Sequence, residues 1–217
     1  PEIYYTRAMI YNSRNETEKA LAELEEALKI KADYHEALAD KIIIRYSSSK
    51  DKKIMAALNE EIKTNPKPYL YYARGIIFNI EKKHSKALAD LRKLLSIDSS
   101  FNSYDVRWNI SYALLQTGKN SDALIEINHA IRIKPGMAKG YFLRGQIYYD
   151  SRDYQPSLEN FQQVLTTGVQ DAMAVYNAGM CYLKLENTEK ACESFRTACQ
   201  AGNDNACKMS VVHCSKN

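Results

Sequence analysis

Glycine and proline are scarce in this chain of 217 residues, with 8 and 5 copies respectively. That scarcity argues against a turn-rich all-β fold and against collagen-like or low-complexity sequence. No run of about 18 consecutive apolar residues is present, so the sequence predicts no transmembrane helix. The net charge of +4 is too small to indicate nucleic-acid binding. Hydrophobic residues at 45% and charged residues at 26% instead match an ordinary globular protein.

The common catalytic motifs are also missing. The sequence contains no P-loop, no G-x-G-x-x-G, no G-x-S-x-G and no H-E-x-x-H. We therefore predict no enzyme, no catalytic residue, no metal and no cofactor. The chain begins at Pro1 and shows no signal peptide, so a removed signal peptide, a lipid anchor or a longer parent protein all stay open.

Repetition is the strongest feature that is present. Similar segments begin at residues 1, 35, 68, 104, 138 and 172, at intervals of 33 to 36 residues. Within each segment, apolar residues recur at spacings of three and four in two halves, which predicts two amphipathic helices per segment. One such helix pair cannot bury its apolar faces alone, so stacked pairs are expected to share one continuous core.

Residues at fixed places in these segments carry a family resemblance. A small residue in the first helix is followed three residues later by an aromatic residue, as at Gly75 and Phe78, and Pro66 and Pro135 stop second helices. The sequence resembles the tetratricopeptide repeat family over nearly its whole length. The resemblance implies an all-α, right-handed solenoid over residues 1–217, with six helix-turn-helix repeats and a capping helix at about 204–214. The second repeat departs most, with Ile42 and Arg45 at the small and aromatic positions.

Three arginines occupy the residue before the small position. Sixteen residues after each of them stands a polar residue, and these couples are Arg7 with Glu23, Arg74 with Asp90, and Arg144 with Asn160. We predict that Arg7–Glu23 and Arg74–Asp90 clamp the two helices of a repeat together. The alternative is a solvated charged surface, where ion pairs contribute little.

The resemblance also implies a concave inner wall built from set positions of each first helix. The predicted binding groove consists of Tyr5, Tyr72, Trp108, Tyr112, Phe142, Gln146, Tyr149 and Tyr176. Aromatic residues are favoured at binding hot spots, so we predict a groove for a peptide of a partner protein. The alternative is that these rings pack against neighbouring repeats. The Lys/Asn/Arg clamp with which some family members hold chaperone tails is absent, since Tyr5, Met9, Ala39 and Ile43 stand at its early positions.

All five cysteines lie between Cys181 and Cys214. The midpoints of Cys199 with Cys207 and of Cys192 with Cys214 both fall at residue 203, where we predict the turn of a helical hairpin. Residues equidistant from such a turn face each other, which predicts nested disulfides Cys199–Cys207 and Cys192–Cys214. Buried reduced thiols, or a zinc site that includes His213, are the alternatives.

Disulfides indicate an oxidising compartment, and the C-terminal string ACESFRTACQAGNDNACKMSVVHC resembles the ends of bacterial envelope-associated repeat proteins. The leading hypothesis is a non-enzymatic interaction scaffold in the periplasm or cell envelope of a bacterium. It would bind a protein or peptide partner and no nucleic acid, and homo-oligomers stay open. The alternatives are a cytosolic regulatory adaptor with reduced cysteines and a metal or redox module at the C-terminal cysteines.

Overall fold

Each predicted repeat folds as a pair of α-helices joined by a tight turn. The structure is a computed structural model and describes residues 1–168 and 171–214. Its helices are α1 Glu2–Ser13, α2 Thr17–Ile30, α3 His35–Ser49, α4 Lys52–Thr64, α5 Pro68–Ile80, α6 His84–Ile97, α7 Tyr104–Gln116, α8 Asn120–Ile133, α9 Ala138–Asp150, α10 Tyr154–Thr166, α11 Ala172–Lys184, α12 Thr188–Gln200 and α13 Asp204–Cys214. A short 3₁₀ helix spans Ser99–Phe101. The described residues contain no β-strand, so the predicted all-α class with six helix pairs and a terminal helix is confirmed.

The chain divides into two compact units, Pro1–Asn102 with α1 to α6 and Ser103–Asn217 with α7 to α13. The core of the first unit includes a cluster around Ala8, Leu24 and Ile44, and another around Leu58 and Leu70. In the second unit, one cluster joins Leu158, Phe161, Ala178 and Cys181. Each cluster spans neighbouring helix pairs, which is how a repeat protein builds its core.

Small residues let the two helices of a repeat approach closely. A Cβ added to Gly75 would lie 2.9 Å from Leu91 Cγ, and one added to Gly179 would lie 2.7 Å from Phe195 Cε1. These separations are shorter than real Cβ contacts, so the large side chain of the second helix occupies the space that glycine leaves. A small residue at this position therefore serves the packing of the two helices.

The turn between the two helices uses a left-handed residue at the fifteenth position of most repeats. These residues are Asn15, Lys82, Gly118, Arg152 and Glu186, with φ between 59° and 73°. In the second repeat the left-handed residue is Lys50, with φ 52°, at the sixteenth position. The turn comes one residue late because α3 continues to Ser49.

The arginine clamps form as predicted. Arg74 donates from Nε and Nη2 to the two carboxylate oxygens of Asp90 at 2.7 and 2.8 Å, and from Nη1 to Asn59 at 2.8 Å. Arg7 pairs with Glu23 in the same way at the surface. The Arg74 and Asp90 side chains are 18% and 9% exposed, whereas Arg7 is 50% exposed. The third arginine, Arg144, donates to the Asn160 amide oxygen at 2.7 Å.

Arg74→Ala is expected to lower the free energy of unfolding by about 2–4 kcal/mol, because it leaves the Asp90 carboxylate buried without its cation. The matched variant Arg7→Ala removes an exposed pair and should leave the denaturation midpoint nearly unchanged. Urea denaturation followed by circular dichroism measures both. Equal midpoints for the two variants would contradict the structural role of the Arg74 clamp.

Candidate peptide-binding surface

The eight predicted groove residues all lie on the first helix of their repeat and are all half-buried. Tyr5 lies on α1 and Tyr72 on α5, both in the first unit. The other six lie in the second unit, and these are Trp108 and Tyr112 on α7, Phe142, Gln146 and Tyr149 on α9, and Tyr176 on α11. Each unit therefore holds its own part of the predicted surface.

Two of these rings form a stacked pair on α7. Trp108 and Tyr112 lie one helical turn apart, with ring centroids separated by 5.5 Å and planes inclined by 4°. The indole N–H of Trp108 donates to the Lys139 backbone oxygen at 3.1 Å. The Lys139 ammonium lies 5.5 Å from the centre of the Trp108 ring and pairs with Asp105 at 2.8 Å. These contacts hold the indole in one orientation.

Three predicted residues converge on a cleft between α7, α9, α10 and α11. The cleft has a volume of about 260 Å³. It is lined by Leu115, Gln116, Gln146, Tyr149, Asp150, Phe161, Tyr176, Asn177 and Met180. Phe142 contacts it indirectly, since its ring packs edge-on against Phe161 at 5.5 Å. This cleft of the second unit thus combines apolar and aromatic side chains with side-chain amide groups.

The two tyrosine rings of the cleft pack against other aromatic rings. The Tyr149 ring packs edge-on against Tyr154 at 5.4 Å, and burial raises the pKa of the Tyr149 hydroxyl. The Tyr176 ring lies 6.0 Å from the ring of Phe195. Side-chain amides at Gln146 and Asn177 can donate to and accept from a peptide backbone. The arrangement therefore suits an apolar side chain flanked by main-chain polar groups.

Six residues that line the cleft are not among the predicted groove residues, and these are Leu115, Gln116, Asp150, Phe161, Asn177 and Met180. Asp150 and Asn177 lie next in sequence to the predicted residues Tyr149 and Tyr176. A stripe one residue wide omits such neighbours, because the lining of a cleft covers more of a helix surface than one row.

The two predicted residues of the first unit have packing partners of their own. The Tyr5 hydroxyl donates to the Asp40 carboxylate at 2.7 Å, and its ring lies 5.3 Å from Tyr34. Burial and the Asp40 carboxylate raise the pKa of the Tyr5 hydroxyl. Tyr72 packs against a core cluster that includes Tyr46 and Ile77. Both rings serve the packing of the first unit, whatever else they contact.

The cysteine pairs predicted from spacing are the pairs within bonding distance. The Sγ atoms of Cys192 and Cys214 lie 2.04 Å apart, and those of Cys199 and Cys207 lie 1.95 Å apart. Both pairs join α12 to α13. Cys181 is buried, its sulfur lies 3.2 Å from Ser157 Oγ, and burial raises the pKa of its thiol to about 11. The Cys181 thiol therefore stays protonated at neutral pH, and a protonated thiol is a poor nucleophile.

Neither a metal-binding cluster nor a membrane-spanning helix occurs in the described part of the chain. Residues 1–168 and 171–214 hold no group of three or more His, Cys, Asp or Glu side chains placed to bind a metal ion. Over the same residues, no helix combines the length and the apolar character needed to cross a membrane.

Models of the tetratricopeptide repeat match two parts of the chain. One matches residues 1–34, the first helix pair, and the other matches residues 142–206, which run from α9 into α13. Among curated proteins, tetratricopeptide repeat protein 13 of Homo sapiens is 26% identical over 132 residues, covering 58% of this chain and 15% of that protein. The chain spans about a fifth or less of the curated relatives that it matches.

Solved structures show the same fold. PilW, described as a widely conserved type IV pilus biogenesis factor, superposes with a TM-score of 0.74 at 15% identity, covering 96% of this chain and 97% of that one. YrrB, described as a tetratricopeptide repeat protein with an unusual peptide-binding site, gives a TM-score of 0.59 at 21% identity, with 99% and 91% covered. Likeness at these identities shows the fold alone. The chain thus carries tetratricopeptide repeats at residues 1–34 and 142–206, and it shares the fold of the tetratricopeptide repeat proteins on which it superposes.

Proposed function

We propose that this protein is a non-enzymatic interaction scaffold and that the cleft of the second unit binds a peptide of its partner. The tetratricopeptide repeat fold itself suggests protein–protein interaction. Gln146, Tyr149 and Tyr176 line the same cleft of about 260 Å³, and this arrangement supports the proposal that a peptide binds there. YrrB, a protein of the same fold, is described as having a peptide-binding site.

The chemistry of the cleft indicates what the peptide presents. Asp150 is the charged residue of its lining, and Leu115, Phe161 and Met180 supply apolar surface. An apolar anchor side chain would pack against these walls and the two tyrosine rings, with the Gln146 and Asn177 amides meeting its backbone. A basic residue beside the anchor would meet Asp150, so the peptide favoured by this cleft is apolar with a neutral or basic flank.

Tyr176→Ala is expected to weaken binding of such a peptide by about 30-fold, the loss typical of a buried aromatic hot spot. A peptide selected by display on the intact chain serves as the probe, and fluorescence anisotropy measures its affinity. The matched control is Tyr182→Ala, which removes the same side chain from the same helix outside the cleft. Thermal melts of both variants confirm that each stays folded.

If Tyr176→Ala and Tyr182→Ala bind the peptide equally well, the cleft is not the site. Trp108→Ala extends the test along α7. A loss of affinity in this variant would include the Trp108–Tyr112 stack in the binding surface, and unchanged affinity would make that stack structural.

We also propose that the protein works in an oxidising compartment, the bacterial envelope. The support is the pairing of all four C-terminal cysteines of α12 and α13 at bonding distance, together with the fold shared with PilW. Disulfides persist in the periplasm and outside cells and are rare in the reducing cytosol.

A further inference from the structure

The second repeat differs from the others at the positions that hold its two helices together. In other repeats a small residue in the first helix receives a large side chain from the second, as Gly75 receives Leu91. The second repeat has Ile42 at that small position and Leu58 at the position of Leu91. A branched side chain there prevents the close approach that glycine permits.

The clamp is missing from this repeat as well. Lys41 stands where Arg7 and Arg74 stand, and sixteen residues later comes Ala57, which cannot accept a hydrogen bond through its side chain. Lys41 instead pairs with Glu25 of the preceding repeat at 3.0 Å. The turn of this repeat, at Lys50, also comes one residue later than in the other repeats.

An open cleft lies between α3 and α4 as a result. Its volume is about 510 Å³, and it also reaches Tyr69 at the start of α5. Its apolar wall is formed by Leu38, Ile42, Ile54, Ala57 and Leu58. Ile42 and Leu58 occupy the positions at which Gly75 and Leu91 make the helix–helix contact of the third repeat. Leu58 is buried, Leu38, Ile42 and Ile54 are half-buried, and Ala57 is exposed, so part of this wall is open to solvent.

Charge surrounds this cleft unevenly. Lys41, Arg45, Lys53, Asp51 and Glu61 line it. Lys41 is paired with Glu25, and Asp51 accepts from the backbone N–H of Lys53 at 2.8 Å as the cap of α4. Among the described residues, neither Arg45 nor Lys53 has an ion-pair partner. Two cations are therefore available at the edge of an apolar wall.

The surrounding sequence reinforces this positive charge. Residues 41–93 contain thirteen Lys or Arg and five Asp or Glu, a net charge of +8, whereas the whole chain carries +4. We propose that the α3–α4 cleft is a second docking site, which takes an acidic peptide segment of a partner by inserting an apolar side chain between α3 and α4 while its carboxylates pair with Arg45 and Lys53. This site is independent of the cleft of the second unit.

A peptide fits better than a lipid because charges of both signs line the opening. Asp51 caps α4 and Glu61 lies on it. Their carboxylates would repel a purely anionic membrane surface. A peptide can meet them with backbone N–H groups while its carboxylates meet the cations. A free fatty acid offers one carboxylate and, once that carboxylate is ionised, no hydrogen-bond donor.

The test uses the intact chain and two synthetic 12-residue peptides that share a central Leu-Phe pair, one flanked by glutamates and the other by lysines. We expect the acidic peptide to shift the backbone amide resonances of residues 38–61 in a saturable way and the basic peptide to leave them unchanged. Arg45→Glu combined with Lys53→Glu should weaken binding by about tenfold or more. Lys52→Glu, which changes the neighbouring exposed lysine outside the cleft, should stay within about twofold of the parent chain.

A steric pair of variants tests the apolar half of the site. Ala57→Trp places a large ring in the cleft and should abolish binding, whereas Ala56→Trp adds the same ring at the adjacent exposed position outside it. Equal binding by these two variants, or equal binding of the acidic and basic peptides, overturns the proposal. Phosphatidylglycerol vesicles that bind through Arg45 and Lys53, with no binding of the acidic peptide, would also overturn it in favour of a membrane surface. Tyr176→Ala should leave binding of the acidic peptide unchanged, so the two proposed sites succeed or fail separately.

Discussion

Removing both disulfides, by Cys192→Ser together with Cys199→Ser, is expected to release α13 from α12 and to make α13 the first helix to unfold. The cross-links close segments of 22 and 8 residues, and each restricts the unfolded chain by an amount equivalent to about 3 kcal/mol. The two losses are not fully additive, because the shorter loop lies inside the longer one. Apart from these bonds, α13 has Ala206 as its fully buried side chain. We therefore expect covalent attachment, rather than apolar contact, to hold this helix in place.

Limited proteolysis measures the release directly. Lys208 lies exposed on α13, and trypsin should cleave after it rapidly in the double variant and slowly in the parent chain. The control is Cys181→Ala, which removes the buried thiol and keeps both disulfides. Protection of Lys208 that survives in the double variant would show that packing alone holds α13.

Thiol counting checks the bonds themselves. The unreduced native protein should show no reactive thiol, because Cys181 is buried and the pKa of its thiol is raised to about 11. The unreduced protein in denaturant should show one. Five reactive thiols in denaturant, in protein purified from its natural compartment without reductant, would contradict the disulfides and with them the proposal of an oxidising envelope.

Phe195→Ala is expected to lower the free energy of unfolding by about 3–5 kcal/mol. Phe195 is fully buried and occupies the space beside Gly179, where an added Cβ would lie 2.7 Å from its ring. Truncation leaves a ring-sized cavity between α11 and α12. Guanidinium denaturation of the disulfide-intact chain measures the loss.

The reverse substitution probes the same contact from the glycine side. Gly179→Val should cost about 1–3 kcal/mol, because the added side chain collides with the Phe195 ring. Gly136→Ala is the control, since nothing lies within 4 Å of a Cβ added there and its backbone is not left-handed. A Gly179→Val variant as stable as the parent would show that α11 and α12 can separate without cost.

Local rules were enough to predict much of this fold. The small position at Gly75 and Gly179, the clamp between Arg74 and Asp90, and the cysteine pairs centred on residue 203 each depend on residues of one helix pair or hairpin. Such contacts span at most 22 residues, so counting along the chain locates them. Repetition then makes the same inference in copy after copy.

Contacts between repeats were harder to predict. Tyr5 lies 35 residues from Asp40, and its hydroxyl is engaged by that carboxylate, which no pattern within one repeat indicates. Whether a ring lines a groove or fills a core depends on such neighbours. The aromatic stripe therefore predicted the helix face and left the use of each ring open.

The second repeat shows a different limit. Its turn comes one residue late at Lys50, but the following connection is shorter, so the third repeat still begins at residue 68. An alignment that tracks only where repeats start cannot detect this shift. The departures at Ile42 and Arg45 marked the repeat as unusual, and their consequence, the α3–α4 cleft, required the helix positions.

The covalent attachment of α13 also gives the chain a direction in which it comes apart. A repeat protein whose helix pairs contact only their neighbours can unfold one pair after another, starting from an end. Two disulfides join α13 to α12. Helix α1 has no such bond, and Ala8 is its fully buried side chain. Under tension or heat, α1 should therefore unfold first and the C-terminal hairpin of α12 and α13 should unfold last. A peptide bound in the proposed cleft of the second unit would then contact the part of the molecule that unfolds last.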